Sequence, residues 1–187
     1  MTKNMEKNLS RTEWREAATG GLYAGLAYAL LTIAAHASRS MPGLVTILNA
    51  VSFFSFAGFL YFYARCMAAY AGGDGFSYGR SLLFVLKMSL FAGVLAGVGQ
   101  FVLVNWIDPE GFREQFDLMV ANMAGGGMGE KEAEMAGSLG LKLMRNPLFA
   151  VFSGIFSMLI YGGLLGLLIS IFVRRPADPF GGGTFAE

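Results

Sequence analysis

Reactive chemistry is scarce in this chain. Its single cysteine, Cys66, has no partner for an intramolecular disulfide, and with the single histidine, His36, it cannot complete a four-ligand zinc set. Net charge is only +1, so there is no bulk basic field for nucleic acid and no acidic one for basic partners. Acids are missing from the long apolar runs, which excludes the carboxylate pair of an intramembrane aspartyl protease and the acidic relay of a proton-coupled transporter. The His-Glu zinc helix is absent as well. Neither "GGDGFSYG" nor Gly181, Gly182 and Gly183 is followed by the Lys-Ser/Thr of a phosphate loop. We therefore expect no cofactor, no metal and no catalytic residues.

What the chain has in excess is apolar surface: 55% of its 187 residues are hydrophobic, 14% are charged, and mean hydropathy is +0.52. A soluble core of this size needs less. A bilayer core about 30 Å thick takes about 20 helical residues, and four segments are long enough: 17–37, 44–64, 81–107 and 149–173. Lipid offers the backbone no hydrogen bonds and no alternating strand pattern occurs, so an all-α integral membrane protein with four transmembrane helices is expected. Ala35, His36 and Ala37 imitate a signal-cleavage site. The apolar region is longer than a signal peptide's and its head carries Glu6, Glu13 and Glu16, so a retained helix is expected.

Direction follows from the basic residues near the span ends. Lys3, Lys7, Arg11 and Arg15 precede the first span, Arg65 and Arg80 flank the second connection, and Arg174 and Arg175 follow the fourth. The first connection has only Arg39, and the third sets Arg113, Lys131, Lys142 and Arg145 against seven acids. Both termini should be cytoplasmic. The expected organisation is a head at 1–16, a transmembrane domain at 17–173 with an outer loop at 108–147, and a flexible tail at 174–187. Lys87 interrupts an apolar run seven residues after Arg80, on the same helix face. With no acid expected in a span, it reads as a snorkelling anchor, and Arg80, Lys87, Arg174 and Arg175 together mark the cytoplasmic side.

Small residues recur four apart at Gly21 and Gly25, Gly93 and Gly97, and Gly162 and Gly166, which allows close helix packing in lipid or a dimer seam. His36, Asn49, Gln100 and Asn105 come from three spans yet share the outer half, with Tyr28, Ser153, Ser157 and Tyr161 extending that polarity inward. The cluster is either the mouth of a substrate or ion site or interhelical hydrogen bonding near a wet interface.

The third connection predicts two amphipathic helices. Asp108 caps the first, Pro109 fits its first turn, and Phe112, Phe116, Met119 or Val120, and Met123 share one face. "AGGGMG" breaks it; Met128, Met135, Leu139 and Leu143 line the second; then Asn146 caps the fourth span with Pro147 at its first position. The methionines serve better as an adaptable apolar face than as copper ligands. This excursion is a docking lid or a cover over its own bundle or lipid.

The order of these features, "GFSYGRSL" entering the third span, "NWIDPEGFREQF" leaving it, a Met- and Glu-containing helical excursion, "NP" before the fourth span and a basic tail, resembles the bacterial membrane family called domain of unknown function 4199. The likeness covers nearly the whole chain. Family members more often have Phe at Tyr78 and Lys at Arg80, and this chain carries one more residue, Gly111, between the "IDP" acid and the aromatic Phe112. The resemblance implies a multi-pass bacterial inner-membrane protein with no established activity, and points to a membrane glycosyltransferase of the dolichyl-phosphate-mannose-synthase type as a partner. The resulting expectation is a non-enzymatic inner-membrane assembly or accessory protein, in contact with lipid and with a membrane partner or a second copy. The alternative is a small transporter or channel working as an oligomer through the outer polar cluster.

Overall fold

The computed structural model describes residues 2–72, 75–127 and 129–176, with side chains from residue 10 onward. Gly73 and Asp74 of the "GGDGFSYG" turn, Met128, and the tail from residue 177 lie outside the described residues. Six helices appear among those described: α1 (Thr2–Ala37), α2 (Pro42–Tyr70), α3 (Tyr78–Val102), α4 (Pro109–Gly125), α5 (Glu130–Met144) and α6 (Pro147–Val173). Four of them are long and apolar enough to cross a membrane, over Ser10–Ala37, Pro42–Tyr70, Tyr78–Ile107 and Pro147–Val173. The helix of the first span already runs through Glu13, ahead of the expected start at residue 17.

Central in the bundle is α3, between α1 and α6, while α2 lies on α1 and meets α6 more sparsely. The start of α1, the end of α2, the entrance of α3 and the last turn of α6 form the terminal end. The 38–41 turn and α4–α5 form the hairpin end. Core packing is concentrated toward the terminal end, where Phe56, Leu60, Phe84, Met88 and Ile169 are buried. On α2 every buried residue but Ser52 belongs to the stretch from Phe56 onward. The large apolar side chains Phe54, Phe152, Phe156 and Phe172 are exposed outward, as a lipid-facing surface requires.

All three glycine pairs lie in seams within the chain. A methyl group at Gly25 would sit 2.7 Å from the Ala92 backbone, one at Gly93 2.5 Å from Ile155 Cα, and one at Gly97 2.6 Å from the Ala150 carbonyl. Gly21 meets the Met88 backbone, Gly162 meets Ser89, and Gly166 meets Leu82 and Val85. Gly21 and Gly25 thus join α1 to α3, and the other two pairs join α3 to α6.

"GFSYGRS" ties the terminal end together. Phe76 is fully buried, edge-on to Phe84 at 6.4 Å, and its backbone exchanges two 2.9 Å hydrogen bonds with Arg175. Ser77 caps α3 by accepting from the Arg80 amide. The tail's first residues are thereby fixed to the entrance of α3.

Candidate functional site

At the terminal end Glu13 is 7% exposed and receives two cations from α3. Arg80 donates from Nε and Nη2 to Oε1 at 2.5 Å, and Lys87 Nζ stands 3.4 Å from Oε2. Lys87 also lies 4.9 Å over the ring of Trp14, and Arg80 lies 5.8 Å from the Phe76 ring centre. The expectation that Lys87 has no acidic partner is therefore corrected. Seven residues separate Arg80 and Lys87, two helical turns, and that spacing aims both at one carboxylate on α1. Arg174 and Arg175, the other expected anchors, are exposed at the end of α6.

At the hairpin end a second ionic group forms. The last turn of α3 widens into a π-helical segment, Leu103–Ile107, in which Asp108 N–H reaches back five residues to the Leu103 carbonyl. The extra residue in this turn redirects the chain so that Asp108 faces the end of α1. His36 Nε2 donates to Asp108 Oδ2 at 2.7 Å, and Arg39 Nη1 pairs with the same oxygen. Asp108 Oδ1 accepts from the Gly111 amide at 3.0 Å, capping α4. Gly111 is buried under Arg39 and Asp108, where a side chain would collide with both. The Phe112 ring stacks on His36 at 5.2 Å.

The His36 hydrogen bond and then the Gly111 amide, with Arg39 nearby, hold the Asp108 carboxyl below its ordinary value of 3.8. A depressed folded-state pKa stabilises above the unfolded value and is lost as pH falls through the folded one. Acidification from pH 6 toward pH 2 is thus expected to release α4 from α1 below the usual carboxylate range, read as faster amide exchange in the first turn of α4. Asp108→Asn should exchange fast at every pH and flatten that profile.

The hairpin packs differently from the expected pattern in its second half. On α4, Phe112, Phe116, Val120 and Met123 do face inward. On α5 the buried face is Ala133 and Gly137, with Gly140 against the Phe116 ring and Gly137 against Val120. Small residues let the larger α4 side chains enter, and this displaces the expected face outward: Met135, Leu139 and Leu143 are 64%, 54% and 45% exposed. Asn146 caps α6 as expected, accepting from the Leu148 and Phe149 amides.

The four residues expected to form an outer polar cluster are divided. His36 is committed to Asp108. Asn105 donates to the Phe101 carbonyl of its own helix at 2.9 Å. Asn49 borders a cavity of about 240 Å³ between α2 and α6, floored by Tyr28 and Thr32 of α1. Gln100 borders a second, of about 160 Å³, reaching Ser153 and Ser157 of α6. Tyr28 and Met158 border both and form the partition between them. Ser52, not singled out from the sequence, belongs to the first cavity. An isolated serine in an apolar run carries no periodic signal that would have drawn it out.

A family profile described as "Protein of unknown function (DUF4199)" matches residues 19–175. The chain belongs to that family. No curated protein and no solved structure matches it. The family match takes in most of the first apolar helix, the other three and the α4–α5 hairpin.

Proposed function

We propose that this family member is a non-enzymatic accessory or assembly subunit of a bacterial inner membrane, with both termini cytoplasmic and the α4–α5 hairpin on the outer side as its contact element. The carrying observation is the exposed stripe of Met135, Leu139 and Leu143, which α5 turns away from its own α4. An amphipathic helix whose apolar side is left open by its own fold suits a partner protein. The hairpin is presented rigidly: Asp108 fixes its start to α1 and Asn146 fixes its end to α6. The surplus of Arg65, Arg80, Arg174 and Arg175 at the terminal end supports the orientation.

A photo-crosslinking residue at Leu139 in intact cells tests this, with a membrane glycosyltransferase the partner to seek first. The expected result is one discrete protein adduct from Leu139 and Met135 and none from Lys131. With the crosslinker at Met135, Leu139→Glu should reduce the adduct about tenfold, the effect of roughly 1.4 kcal/mol at a contact centre. Exclusive adducts with lipid would overturn the assignment.

The cavities at Asn49 and Gln100 favour a second reading, a small transporter or channel. Toward the terminal end Phe56, Leu60, Phe84 and Met88 fill the bundle, so such a path would need an oligomer. Proteoliposome flux sensitive to Asn49→Ala and Gln100→Ala would favour it over the assembly role.

A further inference from the structure

The cleft between α2 and α6 combines three features. Its lining holds no charged side chain, it lies between α2 and α6, which meet only sparsely, and it contains a buried hydroxyl without a partner. That hydroxyl belongs to Ser52, which is 4% exposed. A helical serine or threonine commonly satisfies itself on the carbonyl four residues back, as Ser89 does on Val85, Thr32 on Tyr28 and Thr46 on Pro42. Ser52 does not. Ser81 and Ser170 share the unpartnered state, but of the three only Ser52 borders this cleft.

An unmet hydroxyl in an apolar setting costs about 1–3 kcal/mol, and at Ser52, the one of the three that borders this cleft, an acceptor arriving from outside can remove that cost. Ser52 and the Tyr161 phenol, with the Asn49 amide beside them, offer donors. Phe53, Phe56 and Tyr28 offer ring faces and apolar walls. With no cation in the lining, a phosphate or carboxylate would find no counter-charge. Depth points the same way. At 1.5 Å per residue the 29-residue α2 is longer than a hydrocarbon core of about 30 Å. Centred across the core, it carries Asn49 roughly 4.5 Å and Ser52 roughly 9 Å below the surface on the hairpin side. The ligand's acceptor must therefore be uncharged and soluble in the bilayer interior. The cleft alone, at about 240 Å³, is smaller than the roughly 300–1,000 Å³ of sites that enclose a whole small molecule, which suits a carbonyl end whose chain stays outside in the bilayer.

We propose that this cleft is a lateral binding site for a neutral carbonyl group carried on a long apolar chain. Two lipids supply that chemistry: the ring carbonyl of a membrane quinone, or the ester carbonyl of a glycerolipid whose head stays at the surface. The carbonyl accepts from Ser52 Oγ–H and is flanked by Asn49 and Tyr161, while the chain lies along Phe53 and Phe56. Entry is sideways from the bilayer. The site is separate from the hairpin stripe and does not depend on the docking role.

Full-length protein in mild detergent, incubated with each lipid and read by native mass spectrometry, tests this. The probes are a decyl-substituted benzoquinone, a dioleoyl diester phosphatidylcholine and its diether analogue, which lacks the carbonyls. Retention of the quinone, or retention of the diester above the diether, is expected, and which of the two occurs identifies the source. Ser52→Ala and Asn49→Ala should each lower that retention roughly three- to tenfold, the loss of one hydrogen bond. Thr46→Ala, on the same helix and bonded to its own backbone, should leave it unchanged. Asn49 is exposed, so its variant keeps the test informative if Ser52→Ala misfolds. Equal retention of diester and diether with no quinone bound, or retention indifferent to both variants, overturns the proposal.

Discussion

Replacing Glu13 by Gln is expected to lower the thermal midpoint of the detergent-solubilised protein by about 10 °C. The Glu13 side chain is 9% exposed and holds two cations, Arg80 at 2.5 Å and Lys87 at 3.4 Å. Removing one partner of a buried ion pair costs about 3–5 kcal/mol, because the remaining charge is left without compensation. Arg80 keeps 29% of its side chain in contact with the surroundings, so the lower end of that range, about 3 kcal/mol, is the expected loss. At roughly 2–4 °C per kcal/mol for a chain of this length, that gives the stated shift. Lys87→Met alone should cost less, since Glu13 retains Arg80. In Glu13→Gln/Lys87→Met the two losses should fall short of their sum, because the double variant no longer strands the ammonium. Trp14 sits beneath Lys87 and edge-on to Phe91 at 6.3 Å, so its fluorescence reports the same melt. A snorkelling Lys87 would predict the opposite, with both single variants neutral. The two physical pictures are separated by one melting curve.

Most of the architecture was legible because it rests on local chemistry. Span lengths follow from bilayer thickness, and the caps at Asp108 and Asn146 follow from side chains that can bond nearby amides. The small-residue pairs announced close helix approach, and all three were found in contacts. What the sequence hid is long-range pairing. Glu13 and Lys87 are 74 residues apart, His36 and Asp108 are 72 apart, and each looks like an isolated polar residue until the helices are placed side by side. The α5 face was misjudged for a related reason. Hydrophobicity favoured Met135, Leu139 and Leu143, but a helix approaching as closely as α4 does needs small residues, and Ala133, Gly137 and Gly140 took the inner face instead. The four expected cluster residues were divided because position along each span was readable and azimuth around each helix was not.

The seam between α3 and α6 should be the least tolerant surface in the molecule. Gly93→Ala is expected to destabilise by about 1–3 kcal/mol, the range for overpacking, and Gly93→Ile to prevent accumulation of folded protein. The reason is the identity of the neighbour. A Cβ on Gly93 would lie 2.5 Å from Ile155 Cα and 3.0 Å from the Gly154 carbonyl, and a Cβ on Gly154 would lie 2.5 Å from Gly97 Cα. These are backbone atoms, which no rotamer change can move, so the helices must separate. In lipid that separation is costly, because no hydrophobic driving force pulls membrane helices together and association depends on the packing itself. Gly58 on α2 is the control: nothing lies within 4 Å of a Cβ there, and Gly58→Ala should stabilise by about 0.4–1 kcal/mol by restricting the unfolded chain. Melting temperatures of Gly93→Ala and Gly58→Ala, with the folded yield of Gly93→Ile, check the ranking. Because all three glycine pairs are already used within one chain, Gly93→Ala should lower the melt while the crosslink from Leu139 persists wherever protein folds, since a partner or second copy must engage a different surface.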